Sequence, residues 1–335
     1  MSEQRLSLAP WKDRRNLLAL VVSMVTLALI LVFSATVQGF ATRGNLSVIL
    51  SNSASLAILS CGMAVVIISR GLDLSIIAVM VAGATTYATC IEAGMGGGAA
   101  LVVTGLAIVA VGMINAWLIA YAELPAMLAT LASAMAITGL FRFAILRGEF
   151  LLLLPKENPA VQALTSDLLP GLPVVTVMML AALAATWVLL NRTVAGEIIY
   201  AMGDNFLAAR LSGLPVRSVT MLIYVWAAVM ALAAGLVVSS ASGAVDFRTV
   251  TNGTLLFDVI LVVVLGGIPL RGGRGGLANI VLGVALIAVL RNGMTLMNVT
   301  TQIQDVIKGL VLLAAIAAEN FLNPRDIETD TAGDL

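Results

Sequence analysis

The sequence contains no histidine, only two cysteines and few charged residues, which make up 11% of its 335 positions. The absence of histidine removes the commonest general base and transition-metal ligand. No GxxxxGK(S/T) phosphate-binding loop is present, and no soluble stretch is long enough to form a catalytic domain. Cys61 and Cys90 fall in apolar runs, where a free thiol behaves as a small hydrophobe. We therefore predict no catalytic residue, no disulfide and no metal site, and any energy source must lie in another protein.

The charges that remain are balanced, with 18 basic and 18 acidic residues, so the sequence offers no basic surplus for nucleic acid binding. Hydrophobic residues make up 60% of the chain. Many of them form continuous runs of about 20 residues, the length that a helix needs to cross a bilayer. The predicted fold is an all-α polytopic membrane protein with about ten transmembrane helices, including broken helices, and a cytoplasmic coupling helix. The predicted spans are 17–37, 46–69, 74–93, 99–122, 126–146, 172–191, 217–241, 254–267, 276–291 and 302–321.

The distribution of basic residues orients these spans. With the N-terminus inside, the cytoplasmic end receives Arg5, Lys12, Arg14, Arg15, Arg70, Arg192, Arg210, Arg217, Arg271, Arg274 and Arg325. The opposite end receives Arg43, Arg147, Lys156, Arg248 and Arg291. Because cytoplasmic loops carry the excess of Lys and Arg, both termini are predicted to be cytoplasmic.

The predicted organisation has three parts. A cytoplasmic segment, 1–16, precedes a transmembrane domain, 17–321, and a short acidic cytoplasmic tail, 322–335, follows it. The apolar run that begins at Leu17 is too long for a signal peptide and is interpreted as a retained first helix. The largest external loop, Arg147 to Pro170, contains three prolines, which argue against a long helix there. That loop either contacts an extracytoplasmic partner or only links two helices.

The segment Gly196 to Val216, GEIIYAMGDNFLAARLSGLPV, is a charged and helix-capable insert between two spans, and it is predicted to face the cytoplasm as a contact for a soluble partner. Asn205 can cap a short helix, and Gly213 can end it. Arg210 either pairs with a carboxylate of the partner or is solvated. The predicted coupling residues are Gly203, Asn205, Ala208, Ala209, Arg210, Leu211 and Gly213.

Two Gly-rich breaks interrupt the apolar pattern, SRGLDLS at 69–75 and LGGIPLRGGRGG at 265–276. Broken helices in transporters often mark the translocation path or a gate, because their freed backbone groups cannot face lipid. A pair of tight cytoplasmic turns is the alternative. Asparagines within the spans can bind sugar hydroxyls or hydrogen-bond neighbouring helices. The predicted candidates for the path or gate are Gly71, Asp73, Ser75, Asn115, Asp258, Gly266, Gly267 and Asn292.

Four ionisable residues fall within the spans, Arg142, Asp258, Asp305 and Lys308, and each needs a partner or a water-lined cavity. Asp305 and Lys308 are three residues apart on one helix face, so they are expected to neutralise each other, with a substrate contact as the alternative. Asp258 has no local partner in the sequence. We therefore expect Asp258 to face the interior of the helix bundle.

Several segments resemble the permease subunits of bacterial ATP-binding cassette importers for ribose, xylose, arabinose, galactose and related sugars, and the resemblance runs through most of the chain. SRGLDLSIIAVMVAGA at 69–84 is similar to the family's Gly-Gly-Ile-Asp-Leu-Ser block, and residues 112–142 resemble its Asn-Gly and Pro-x-(Phe)-(Ile)-x-Thr-Leu block. YAMGDNFLAARLSGL at 200–214 is similar to the segment that docks on the ATPase. LGGIPLRGGRGGLANIVLGVALIAVLRNGMTLMNV at 265–299 and the later IKGLVLLAAI complete the likeness.

The chain departs from this family pattern at a few positions. Arg70 stands where the family has a second glycine, which changes the backbone angles that the break can reach. Ile76, Ile77 and Ala78 replace a Val-Gly-Ser-like sequence, and Ala116 rather than glycine follows Asn115. A non-identical second permease or an atypical ligand would account for such changes.

The resemblance implies the partners and the location of the protein. A second permease chain, identical or not, two cytoplasmic ATPase subunits and an extracytoplasmic sugar-binding protein would complete an importer in the bacterial inner membrane. The chain itself would bind no cofactor, and ATP and Mg²⁺ would bind the ATPase. The predicted substrate is a monosaccharide or a related small neutral polyol. A permease for a sugar-like signal, a nucleoside or a branched-chain amino acid, and a stand-alone ion-coupled carrier, are the alternatives; a membrane enzyme is disfavoured because no acid-base or nucleophile constellation is present.

Overall fold

The computed structural model describes residues 11–322 except 156, 170 and 171. Most of the predicted segment 1–16 and nearly all of the predicted tail 322–335 therefore lie outside the described residues. In chain order the elements are α1 (Trp11–Thr36), α2 (Arg43–Ile68), α3 (Ile76–Glu92), α4 (Gly97–Ala120), α5 (Ala126–Ala144), β1 (Leu151–Leu153), α6 (Pro159–Thr165), β2 (Asp167–Leu169), β3 (Leu172–Pro173), α7 (Val174–Arg192), α8 (Val194–Asp204), α9 (Phe206–Leu211), α10 (Val216–Ser242), β4 (Ala244–Asp246), α11 (Arg248–Asn252), α12 (Thr254–Leu265), α13 (Leu277–Leu296) and α14 (Thr301–Leu322).

The helical membrane fold predicted from the apolar runs is confirmed, since each predicted span coincides with one long helix. Seven described helices are long and apolar enough to cross a membrane, namely α1, α2, α4, α5, α7, α10 and α13. Helices α3 and α12 are apolar but shorter, and α14 has 22 residues but is not among the seven. The chain is thus a multi-pass membrane protein, whereas the count of ten crossings is not confirmed.

The core of the bundle is built around α2 and α10, which pack on each other and on α3 and α4. Every residue of α2 from 56 to 68 is buried. Small residues allow this close approach, because a helix in lipid gains its packing energy from van der Waals contact rather than from expelled water. At Gly235 of α10, an added Cβ would overlap the carbonyl oxygen of Met80 in α3. The two helix backbones therefore touch at this glycine.

The connections between helices gather at two ends of the bundle. At one end, β1 pairs antiparallel with β4, Leu152 lying opposite Val245, and β2 pairs antiparallel with β3. The three prolines correctly predicted that 147–170 holds no long helix among its described residues, since α6 has only seven residues. The short strands were not predicted. They form because loops after α5 and α10 leave the bundle at the same end and can share backbone hydrogen bonds.

A reciprocal pair of amides ties α2 to α13 at this same end. The Nδ2 atom of Asn45 donates to Oδ1 of Asn292 at 2.9 Å, and Nδ2 of Asn292 donates back to Oδ1 of Asn45 at 2.9 Å. Both residues are half-buried, so water does not compete fully for these bonds. Asn292 thus serves in helix packing in this structure, which is the alternative use of a polar residue in a span.

Gly235→Ala is expected to destabilise the bundle by about 1–3 kcal/mol, because the added methyl group must push α10 and α3 apart. Gly105→Ala in α4 is the matched control, since no atom lies within 4 Å of the added Cβ and alanine favours the helix. Thermal unfolding of the purified proteins in detergent would measure the stability of both variants relative to the wild type. Equal melting temperatures for the two variants would contradict the close α3–α10 contact.

Candidate functional site

Four connections meet at the end of the bundle opposite the strands, and we call them the junction: residues 69–75, 121–125, 193–215 and 266–276. The amide of Gly273 donates to the carbonyl of Ile68 at 2.8 Å, and Nε of Arg70 donates to the carbonyl of Arg271 at 2.9 Å. The hydroxyl of Tyr200 donates to the carbonyl of Gly275 at 2.8 Å. The predicted coupling segment and both predicted breaks therefore lie in one contiguous site.

Helix α2 ends at the junction in a Schellman turn with Arg70 at the position that glycine usually occupies. The amide of Arg70 donates to the carbonyl of Ile67, and that of Gly71 donates to the carbonyl of Val66, both at 2.9 Å. Arg70 has a φ of 68°, in the left-handed region, which costs a non-glycine residue roughly 1–2 kcal/mol. The glycine-to-arginine departure noted in the sequence therefore leaves a glycine-like turn in place, and the Arg70 side chain bonds across to the other break.

Just beyond this turn, Asp73 is the centre of a buried polar network. Its Oδ1 atom accepts from the amide of Ser75 at 2.8 Å and from the Ser75 hydroxyl at 2.6 Å. The Ser75 hydroxyl accepts from Nδ2 of Asn115 in α4 at 2.9 Å. Burial raises the pKa of the Asp73 carboxyl, and the hydrogen bonds from Ser75 oppose that rise. Three residues predicted separately for the path or gate are thus brought together.

The network reaches one further helix, α5, through a residue that the sequence analysis missed. Thr130 accepts from the amide of Leu74 at 3.1 Å, and its hydroxyl donates within α5 to the carbonyl of Ala126 at 2.8 Å. The hydroxyl of Tyr224 in α10 and Oδ1 of Asn115 are buried and have no hydrogen-bond partner among the described residues. Two buried polar atoms of α4 and α10 are therefore left without a hydrogen bond within the described part of the chain.

The coupling segment consists of two helices, α8 and α9, rather than one. Asn205 caps α9, its Oδ1 accepting from the amide of Ala208 at 2.9 Å, and Gly213 follows the helix with a φ of 78°. The local helix predicted after Asn205 is therefore present, with six residues. Helix α8 packs against α2, α7 and α10, so the segment is fixed to the bundle and not a free loop.

Two predicted coupling residues, Gly203 and Ala209, are buried within the chain in this structure. Ala209 is only 5% exposed, and Gly203 lies so close to Ile68 and Gly273 that a Cβ would overlap both backbones. The exposed apolar face of α9 is formed by Leu207, Ala208 and Leu211, with Leu211 four residues after Leu207 and three after Ala208. Leu211 is 79% exposed, the largest fraction among the large hydrophobic residues of the segment.

The segment is also tied to the turn between α4 and α5 by Glu123, which the sequence analysis did not single out. Its Oε1 lies 3.3 Å from Nη2 of Arg210 and 3.2 Å from Nη2 of Arg217. The hydrogen bond from Arg217, followed by the charge of Arg210, lowers the pKa of the Glu123 carboxyl. Arg210 is therefore paired within its own chain in this structure, although its guanidinium remains half exposed.

The remaining predicted residues fall into two places. Gly266 and Gly267 lie at the junction, where Nδ2 of Asn279 donates to the carbonyl of Gly266 at 2.6 Å. Asp258 in α12 lies away from the junction. It is buried, as expected from the lack of a partner in its local sequence, and it pairs with a residue of another helix. Nζ of Lys308 lies 2.7 Å from Oδ1 of Asp258 and 2.9 Å from Oδ1 of Asp305. The predicted pair of Asp305 and Lys308 is confirmed, and it is part of a triad that joins α12 to α14.

Comparisons with known proteins agree with this arrangement. A family model described as "Branched-chain amino acid transport system / permease component" matches residues 45–316. The chain is 31% identical over 288 residues to the ribose import permease protein RbsC of Bacillus subtilis, covering 86% of this chain and 88% of that protein. It is 30% identical over 307 residues to the probable ABC transporter permease protein y4mJ of Sinorhizobium fredii, covering 91% and 90%.

A xylose transport system permease protein, XylH of Escherichia coli, is 28% identical over 361 aligned positions, covering 90% of this chain and 91% of that protein. No solved structure gives a significant match. The resemblance to sugar-importer permeases that was drawn from the sequence blocks is confirmed by these relatives.

Lys308→Ala is expected to cost about 3 kcal/mol of stability, because it leaves two carboxylates without their cation in a mostly buried place. Asp258→Ala is expected to lower the stability by on the order of 1 kcal/mol, since Lys308 still pairs with Asp305. The double variant Lys308→Ala/Asp258→Ala should be more stable than Lys308→Ala alone, because one of the two unpaired carboxylates is removed. Arg248→Ala, which breaks the exposed pair with Asp246, is the control and should change stability by less than about 1 kcal/mol. If unfolding in detergent shows that Lys308→Ala lowers the stability no more than Arg248→Ala does, the triad is not a buried unit.

Proposed function

We propose that this chain, which belongs to the family of branched-chain amino acid transport system permease components, is the membrane-spanning subunit of an ATP-driven, binding-protein-dependent importer. The proposed substrate is a monosaccharide or a related small neutral polyol. The observation that carries the proposal is a matching family model over residues 45–316 together with an exposed apolar helix, α9, at the end of the bundle where both breaks meet. A separate ATPase would bind and hydrolyse ATP with Mg²⁺, and this chain would bind no cofactor.

The exposed face of α9 is the proposed contact for the ATPase. Leu207 and Leu211 are 54% and 79% exposed, which is costly for leucines on a segment that the basic residues place in the cytoplasm. A hydrophobic cleft on a soluble partner would cover them, in the manner of a helix bound in a groove. The two arginines bound to Glu123 border this face and set its charge.

Motion of α9 would reach the interior through the backbone contacts of the junction. Gly203 at the end of α8 lies against Ile68 and Gly273, so α8 cannot shift without moving the end of α2 or the 266–276 connection. The end of α2 leads directly into the Asp73 network, which joins α4 and α5. ATP-driven closure of the ATPase pair would thus change the packing of the helices around α2.

A neutral substrate is supported by the buried polar groups around Asp73. Ser75, Asn115 and Thr130 supply hydroxyls and an amide there, and the Asp73 carboxyl is already bonded to Ser75. Relatives named for ribose and xylose favour a sugar. The description of the matching family keeps branched-chain amino acids as a second candidate. Uptake by the complete transporter, measured with a panel of monosaccharides and with leucine, would separate the two.

The proposed assembly lies in the bacterial inner membrane with both termini cytoplasmic. It would contain a second permease chain, identical or not, two ATPase subunits and an extracytoplasmic binding protein that sets selectivity. Purification of the tagged chain in mild detergent, followed by mass spectrometry, tests this directly. A co-purifying ATPase with a phosphate-binding loop supports the importer. If none appears after gentle crosslinking, and the chain alone takes up solute along an ion gradient, the stand-alone carrier replaces it.

Leu211→Glu is expected to reduce the amount of co-purifying ATPase at least tenfold, because an unpaired carboxylate would be buried in the contact. Leu153→Glu is the matched control: Leu153 is 67% exposed on β1, at the opposite end of the bundle, and its replacement should leave the ATPase bound. Ala209→Glu is a poorer test, because Ala209 is buried within the chain and the variant would disturb α9 itself. Wild-type ATPase recovery with Leu211→Glu would place the contact elsewhere.

A further inference from the structure

The end of α5 away from the junction carries two arginines beside an open cavity of about 520 Å³. The cavity is lined by Gly139, Arg142, Phe143, Arg147 and Gly148. Arg142 lies in the last turn of α5, and Arg147 lies in the turn that follows. No acidic side chain is among these described lining residues, so the charge that they contribute is only positive.

The Arg142 guanidinium is held in place by neighbours that do not neutralise it. Its Cζ atom lies 3.7 Å from the centre of the Phe150 ring, and its Nη2 donates to the carbonyl of Gly148 at 3.2 Å. The amide of Gly148 donates back to the carbonyl of Arg142 at 2.8 Å. Stacking and a carbonyl contact fix the plane of the guanidinium but leave its charge unpaired. Its Nε atom is buried and has no hydrogen-bond partner among the described residues.

Arg147 is held in an unusual backbone conformation at the rim of the same cavity. Its φ is 51°, in the left-handed region that non-glycine residues rarely adopt. Strained positions of this kind persist where the surrounding structure requires them, often beside a ligand. Among the described residues, neither Arg142 nor Arg147 forms an ion pair.

Arg248, the first residue of α11 at the same end of the bundle, has the opposite environment. Its guanidinium lies 2.8 Å from a carboxylate oxygen of Asp246. The fold thus supplies a carboxylate to one arginine at this end and none to the two at the cavity. Ionisable residues within a membrane span pair with one another or with backbone carbonyls. Within the described chain, Arg142 has a carbonyl contact but no ion pair.

We propose that this cavity binds a phosphate group through Arg142 and Arg147. The planar guanidinium matches the spacing of two phosphate oxygens, and α5 is long enough to bring Arg142 to the headgroup level of a bilayer. The phosphate belongs either to an anionic phospholipid or to a soluble anion.

A lipid source is consistent with the surface that continues from the cavity along α5. Phe143, Leu140 and Met135 are 83%, 63% and 72% exposed, and nothing lies within 4 Å of a Cβ built on Gly139. This leaves an open, apolar path for an acyl chain beneath a headgroup at the arginines. The site is independent of the proposed transport function and of the α9 contact.

Phosphatidylglycerol binding tests the proposal in its lipid form. The protein, in the assembly in which it purifies, is placed in phosphatidylcholine nanodiscs with increasing phosphatidylglycerol, and retained lipid is counted by native mass spectrometry. Arg142→Gln is expected to weaken retention roughly tenfold, because a charge-assisted hydrogen-bond pair is lost. Arg142→Lys keeps the positive charge but lacks the planar guanidinium, which can donate two parallel hydrogen bonds, and should recover part of the binding. Arg248→Gln, whose arginine is already paired, should bind as the wild type does.

Inorganic phosphate tests the soluble form, by calorimetry in a zwitterionic detergent without anionic lipid. If the protein binds phosphatidylglycerol but not phosphate, the site is a lipid site. If it binds phosphate and Arg142→Gln weakens that binding, the site is one for a soluble anion. Either result supports the proposal. Circular dichroism melting checks that each variant is folded. The proposal is overturned if the binding of neither anion depends on Arg142, or if Arg248→Gln weakens binding as much as Arg142→Gln does. It is also overturned if the effect of Arg142→Gln is instead to separate two copies of the chain.

Discussion

The hydrogen bond from the Gly273 amide to the carbonyl of Ile68 is the contact on which the junction depends. Helix α2 runs through the middle of the bundle, and its last carbonyl groups would be left unsatisfied in an apolar interior. The Schellman turn at Arg70 satisfies two of these carbonyls, and Gly273 satisfies that of Ile68. Because hydrocarbon offers no alternative hydrogen-bond partner, the end of α2 and the 266–276 connection are held together.

This contact explains why the predicted coupling segment is held against the bundle. Gly203 fits against the same carbonyl only because it has no side chain, which brings the end of α8 onto the end of α2. The break between α2 and α3 then directs Asp73 into the interior, where Ser75 donates to it and Asn115 in turn donates to Ser75. A surface helix, a central helix and a buried polar network are thus linked by short-range contacts without a flexible loop between them.

Charged residues within the spans fall into two groups, those with an ion-pair partner in the described chain and those without one. Lys308 pairs with both Asp258 and Asp305 between α12 and α14, which allows α14 to carry ionisable residues in an apolar helix. Arg142 is oriented by Phe150 and Gly148 but receives no carboxylate from the described chain. In the first arrangement each charged group has a partner of opposite sign within the chain, whereas the second is the basis of the proposed phosphate site.

The sequence by itself determined the helices, their approximate ends and the family, because a run of about 20 apolar residues has few stable forms in a bilayer other than a helix. It also located the cap at Asn205 and the pair of Asp305 and Lys308, which are local features. It could not place Lys308 against Asp258, 50 residues away, or Asn45 against Asn292, 247 residues away. An apolar helix can rotate about its axis without changing its hydropathy. Only tertiary packing decided which residues face the junction, why Ala209 is buried while Leu211 is exposed, and which arginines remain without a carboxylate.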